Sequence, residues 1–182
     1  MENRAIVSLG LRRLVRNNSD LSLKLLEHYK TRLSFTDEQK RMLARDIGTL
    51  LAKRFDARGL GVMQEFDPKS SDPQVGQWHA RLLLRLSRWD EAQKLISTLP
   101  TEVASDLRWQ YWHARSTEFA KPNSKQPLKQ YQKIAGERDF YSYLAADHSQ
   151  LPYQLNHRPA PLDAATLEQV RNTPIIRRAL EF

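Results

Sequence analysis

The chain of 182 residues has no cysteine, 9 prolines and only 6 glycines, and its 29 lysines and arginines outnumber 21 acidic residues, for a formal charge of +8. That length holds one domain with a real core, or a short solenoid, rather than two independent enzyme domains, and a 40% apolar content argues against wholesale disorder. The missing cysteine removes disulfides, thiolate metal ligands and cysteine nucleophiles together, and the apolar runs are too short to cross a bilayer.

Helical signals run from end to end. Ile6, Leu9, Gly10 and Leu14 recur near a 3.6-residue period across Asn3 to Arg16. Asn17-Asn18-Ser19 breaks the pattern, and Ser19 or Asp20 is expected to cap a second helix through Leu23, Leu26 and Tyr29. Thr36-Asp37-Glu38-Gln39 reads as a capping box, opening a helix through Met42, Ile47, Leu50 and Leu51 to about Phe55. A short helix follows from Leu60 to Phe66. Asp72-Pro73 supplies a cap with proline in the first turn, and that helix reaches Leu86. Arg88 to Leu99 comes next, stopped by Pro100, then a long aromatic helix from Val103 to about Ala120. Lys121-Pro122-Asn123-Ser124-Lys125 is a loop. Helices at Leu128–Ala135 and Phe140–Ser149 precede an extended stretch marked by Pro152, Pro159 and Pro161. Short helices at Asp163–Arg171 and Pro174–Leu180 finish the chain. No run alternates long enough to make a strand. The expectation is an all-α protein of about 10 or 11 helices.

The ends and the charge carry further expectations. Met1-Glu2-Asn3-Arg4 lacks a secretory pattern, and Ala179-Leu180-Glu181-Phe182 stops inside a helical pattern without a stop signal, so the chain reads as a segment of something larger. Residues 1–60 carry 13 basic and 7 acidic groups. Such a third could contact a polyanion, but interleaved acids and apolar positions favour a solvated helix face.

An internal echo organises the middle. Trp78-His79-Ala80-Arg81 recurs as Trp112-His113-Ala114-Arg115, at an offset of 34 residues. Ser87-Arg88-Trp89-Asp90-Glu91-Ala92 resembles the turn and second-helix start of a tetratricopeptide unit. A period near 34 residues belongs to helix-pair repeats that stack into curved solenoids. Short connections make consecutive helices antiparallel.

Catalytic chemistry is harder to find. His28, His79, His113, His148 and His157 show no i,i+4 pairing, and His79 and His113 sit at equivalent repeat positions, each serving its own helix pair. There is no nucleophile elbow and no phosphate-cradling glycine loop. No carboxylate lies in an apolar run that would raise its pKa for acid catalysis. No metal or cofactor is expected. The aromatics Trp78, Trp89, Trp109, Tyr111, Trp112, Phe140, Tyr141 and Tyr143 could stack on sugar rings or bases, with Arg108 and Arg115 flanking to hold acidic ligands; Trp78, Trp112 and Tyr143 read more simply as wedges between helices.

The segment Asp106-Leu107-Arg108-Trp109-Gln110-Tyr111-Trp112-His113-Ala114-Arg115 resembles the arginine-tryptophan-x-tyrosine-tryptophan-x-alanine-arginine helix of soluble lytic murein transglycosylases. Glu137-Arg138-Asp139-Phe140-Tyr141-Ser142-Tyr143-Leu144-Ala145-Ala146-Asp147, followed by Leu151-Pro152-Tyr153, is similar to that family's segment after its last helix pair. Asn3-Arg4-Ala5, Gln77-Trp78-His79-Ala80-Arg81 and Arg178-Ala179-Leu180-Glu181 also fit. The resemblance implies a periplasmic protein whose α-superhelix precedes a lysozyme-like domain that cleaves the MurNAc–GlcNAc β-1,4 bond to give 1,6-anhydro products.

The family's catalytic glutamate is followed by a glycine-leucine-methionine-glutamine motif. Gly61-Val62-Met63-Gln64 mimics that motif, but no glutamate-serine pair precedes it and no methionine-proline follows, so no catalytic residue is carried over. The resemblance therefore implies a scaffold, inactive alone: residues 1–150 a U-shaped superhelical domain, residues 151–182 the start of a linker to a carboxyl-terminal domain outside this chain. Its partners would be peptidoglycan glycan strands and that domain, not nucleic acid. Trp109, Arg108, Arg115 and Tyr141 are the candidate peptidoglycan contacts. Rival expectations are a tetratricopeptide-like adaptor for protein partners and a basic nucleic-acid binder.

Overall fold

The computed structural model describes residues 2–160 and 163–181; Pro161, placed above in the extended stretch, and the terminal Met1 and Phe182 lie outside them. The described chain is all-α. In order come α1 (Glu2–Leu14), α2 (Ser19–Lys30), α3 (Asp37–Leu43), a π turn (Ala44–Gly48), α4 (Thr49–Lys53), α5 (Arg58–Phe66), α6 (Pro73–Arg85), α7 (Trp89–Ser97), α8 (Thr101–Ala104), α9 (Leu107–Ala120), α10 (Gln126–Ile134), α11 (Phe140–Ser149), α12 (Ala164–Arg171) and α13 (Pro174–Leu180).

Two expected helices are each divided, which takes the count from eleven to thirteen. The π turn interrupts the helix opened at Thr36, whose hydroxyl accepts from Gln39 N while the Gln39 side chain accepts from Thr36 N, as a capping box requires. The second division falls at Asp106, whose extended backbone and carboxylate cap Arg108 N at 2.8 Å; an N-cap there starts α9 afresh and leaves α8 as a single turn. The cap of α2 also differs from expectation. Asn18 fills it, accepting from Leu21 N at 2.9 Å, because Ser19 bonds back to Val15 O at 3.2 Å and Asp20 pairs with Arg58 at 2.7 Å.

Packing proceeds from neighbour to neighbour. α1 lies on α2 and α3, α5 on the π turn and α4, α6 on α4 and α7, α9 on α7, and α10 on both α9 and α11. The core is accordingly a chain of three patches. The first runs from Leu11 through Leu43, Ile47 and Met63 to Leu83. A small bridge of Ala80, Ile96, Leu99 and Trp109 follows, and the last gathers Tyr111, Ala114, Tyr131, Ile134 and Ala145. The accessible surface of 12083 Å² exceeds the roughly 9,100 Å² of a compact monomer of this mass. Helix pairs stacked into a superhelix, plus an exposed carboxyl-terminal stretch, account for the excess.

The lookalike Gly61-Val62-Met63-Gln64 lies inside α5, where Met63 is fully buried. A Cβ on Gly48 would stand 2.5 Å from Met63 Cγ, and one on Gly59 would stand 2.9 Å from Gly48 O. These residues serve a close helix crossing. Past Gln150, whose left-handed backbone ends α11, residues 151–160 are exposed and without regular structure, turning at the left-handed Asn156, and held by Asn156 Nδ2 donating to Gly136 O at 3.1 Å and Tyr153 Oη donating to Asp147 at 2.5 Å. α12 and α13 pack on each other and bury no residue.

Much of the basic first third is spent internally. Arg12 pairs with Asp46 at 2.5 Å, Lys30 with Glu27 and Glu65 at 2.9 Å each, and Arg58 with Asp56 and Asp20. Arg54 donates to Val15 O, Arg16 O and Ser19 Oγ, closing the carbonyl end of α1.

Candidate functional site: a basic cavity walled by aromatic rings

Three helices converge on one concavity. Asp72 caps α6 through Gln74 N at 2.7 Å, with Pro73 in the first turn; Arg81, Leu84 and Arg85 then share a face by their i, i+3, i+4 spacing. In α9, Arg108, Trp109 and Trp112 share another. In α11, Asp139 caps Tyr141 N at 2.8 Å and sets Tyr141 in the opening turn. These seven residues, Arg81, Leu84, Arg85, Arg108, Trp109, Trp112 and Tyr141, line a cavity of about 400 Å³.

Cations and rings alternate along its wall and behind it, where Lys53, Trp78 and Phe55 stand outside the lining. Lys53 Nζ lies 5.4 Å from the Trp78 ring centre, and the Arg81 guanidinium lies 4.9 Å from Trp78 and 5.2 Å from Trp109. Arg108 stands 5.7 Å from the Tyr141 ring and Arg85 3.7 Å from Phe55. Each such contact favours the cation modestly and fixes its direction. Burial, and then the positive charge of Arg108, push the Arg81 guanidinium below its usual pKa, with Tyr141 and Asp106 opposing. Among the described residues, no carboxylate lies within ion-pair distance of Arg81, Arg85 or Arg108. Arg108 Nε is buried and has no hydrogen-bond partner among the described residues.

The structure therefore unites three of the four sequence candidates. Trp109 is 1% exposed; it fills the bridge between core patches, and only what faces the cavity is open to a ligand. Behind it, Trp109 also bounds a second cavity of about 230 Å³ with His113, Gln110 and Gln130. Arg115 stands apart. It pairs with Glu118 at 2.7 Å and lies 4.4 Å over the Phe119 ring, which itself stacks on Trp89. Glu118 also accepts from Tyr131 Oη at 2.8 Å. Burial alone would raise the Glu118 pKa, but these two hydrogen bonds hold it below the usual carboxylate range.

Residues read as wedges divide as well. Trp78 and Trp112 are half-buried against the core, whereas Tyr143 pairs with Tyr153 at 5.5 Å between ring centres. Arg81 was not singled out from sequence, although it is the repeat counterpart of Arg115. A larger cavity, about 580 Å³, lies among Leu107, Glu137, Arg138, Asp139 and the irregular residues Asn156–Arg158. Its charges are of both signs and it has no aromatic wall. Among the described residues no three His, Asp or Glu side chains gather as for a metal ion, and no helix is long and apolar enough to cross a membrane.

No protein-family model matches the chain, and no curated protein does. Among solved structures, it is similar to the X-ray structure of an inactive mutant of the lytic transglycosylase Slt from Pseudomonas aeruginosa. The identity is 51% and the TM-score 0.79, over 96% of this chain and 28% of that one.

Proposed function

Given that the chain belongs to the lytic transglycosylase family, of which it spans 28% of one member, we propose that it is a non-catalytic helical scaffold that positions peptidoglycan. The bond cleavage would belong to a lysozyme-like domain carried elsewhere in the full protein. In this reading residues 1–150 form the superhelical domain, residues 151–182 begin the connection to the catalytic part, and the setting is the periplasm.

One observation carries the reading. The cavity between α6, α9 and α11 presents uncompensated guanidinium groups beside aromatic rings. Tryptophan and tyrosine faces suit the apolar faces of sugar rings, and guanidinium forks suit carboxylates. Peptidoglycan carries both. The remaining titratable groups support a scaffold: the most strongly shifted are the structural His79, Arg58 and Tyr131, outside this cavity.

The test is sedimentation of the purified chain with insoluble sacculi at rising salt, with the soluble products analysed in parallel. Binding that weakens with salt, without release of 1,6-anhydro muropeptides, is the expected outcome. Release of anhydro products by the chain alone would overturn the scaffold assignment.

A further inference from the structure

Resting on that reading, and narrowing it to a chemical group, we propose that the cavity is a carboxylate pocket for the stem peptide of peptidoglycan. Arg81 and Arg108 grip a free carboxylate, and Trp112 and Tyr141 bear on the residue or sugar that carries it.

The charge pattern points there first. Several arginines elsewhere have acidic partners, Arg12 with Asp46, Arg58 with Asp20 and Asp56, Arg88 with Glu91 and Arg115 with Glu118, and Arg54 has two backbone carbonyls and a hydroxyl. Arg81 and Arg108 feel each other's charge, and neither has such a partner among the described residues. Asp106 is close enough to act on Arg81, but its carboxylate is committed to the backbone of Arg108. A buried donor such as Arg108 Nε is ordinarily satisfied; among the described residues it has no acceptor, so no hydrogen bond there holds the fork back from turning towards a carboxylate in the cavity.

The geometry is prepared for that ligand. Arg81 is held between the Trp78 and Trp109 rings, so its fork is oriented before anything binds, which lowers the cost of binding. A volume of about 400 Å³ exceeds what a carboxylate alone needs and leaves room for a flanking group. Leu84, Trp109, Trp112 and Tyr141 give that group an apolar surround. Inorganic phosphate would meet the arginines and leave these walls bare, whereas an amino acid or muramoyl unit ending in a carboxylate contacts both.

Calorimetric titration of the whole chain tests this with three probes: N-acetylmuramoyl-L-alanyl-D-glutamate, the same compound with both glutamate carboxyls amidated, and an N-acetylglucosamine trimer. The free acid is expected to bind at least tenfold more tightly than either of the others. R81Q and R108Q should each lose tenfold or more, R108K should recover part of the loss, and K94Q, on an exposed face of α7, should behave as the parent. Circular dichroism melts identify any variant that fails to fold; R108Q, at a half-exposed position, keeps the test alive if R81Q does.

Equal binding of acid and amide, or unchanged affinity in R108Q, overturns the pocket while sacculus binding stands. Equal competition by inorganic phosphate overturns the carboxylate assignment. Equal competition by an acidic peptide without muramic acid assigns the pocket to a protein carboxylate and overturns the peptidoglycan source. Failure of the unmodified chain to sediment with sacculi is the separate result that removes the scaffold reading itself.

Discussion

Trp78-His79-Ala80-Arg81 in α6 and Trp112-His113-Ala114-Arg115 in α9 repeat the same four residue types, and the alanines behave alike, both fully buried where two helices approach. The polar members diverge. His79 is buried, 3.4 Å from Ser70 Oγ through Nδ1, and its Nε2 has no partner among the described residues. His113 has Gln93 and Ser97 of α7 at Nε2 and Gln130 of α10 at Nδ1, so it ties successive helix pairs together. Arg115 has Glu118; at the same step beyond Arg81 stands Leu84. The repeat thus conserves a packing unit and leaves its charges to be settled by position i+3. One copy is internally neutralised, and the other faces the cavity with its charge unspent.

What joins the copies is Trp109, and removing it is the severest way to break the comparison. It belongs to the helix of the second copy yet packs with Ala80, Ile96 and Leu99 of the first. Trp109→Ala is expected to destabilise by about 3–5 kcal/mol, read by urea denaturation at neutral pH. Trp112→Ala, at a half-buried position touching two patches, should cost less. Equal losses would mean that the patches do not meet through Trp109.

The histidines separate the copies by pH. Burial pushes His79 down to about 4, with Arg88 adding to the drop and Glu91 and Asp67 opposing it. Its folded pKa lies below the unfolded value near 6.5, so the folded state prefers the neutral ring. Its contribution is complete above about pH 6.5 and is lost as pH falls towards 4, where only the unfolded chain has taken the proton. The loss is on the order of 3 kcal/mol across that window. Denaturation midpoints from pH 7 to pH 4 should fall steeply in the parent, and the slope should flatten in His79→Gln. A slope that persists in His79→Gln assigns the acid sensitivity to other groups.

Helices with complete local signals were legible: Phe140–Ser149 and Pro174–Leu180 have the limits read from sequence, and the capping box at Thr36 is present. The π turn at Ala44–Gly48 was not legible, because its cause is tertiary: α5 crosses so close that Gly48 and Gly59 have no space for a Cβ. The restart at Asp106 had a local signal, an acidic cap before an apolar-aromatic run, which the long periodic pattern masked. At the site, arginine beside aromatic residues marked Arg108, Trp109 and Tyr141. Arg81 needed one further comparison, Leu84 against Glu118 at equivalent steps, and that contrast is readable from the repeat alone.

That contrast can be erased with one substitution. Leu84→Glu places a carboxylate three residues after Arg81, the relation that lets Glu118 reach Arg115 on the same helix type. The ion pair gains only about 0.3–0.5 kcal/mol, while the half-buried Leu84 gives up apolar contact with two core patches, so net stability should shift by under about 1 kcal/mol. Binding should respond far more. With Arg81 neutralised from within, affinity for the muramoyl dipeptide acid is expected to drop tenfold or more, and Leu84→Gln, similar in size but uncharged, should keep most of it. If Leu84→Gln weakens binding as much as Leu84→Glu, the pocket depends on the shape of Leu84 and not on an unspent charge, and the two copies of the repeat differ in packing alone.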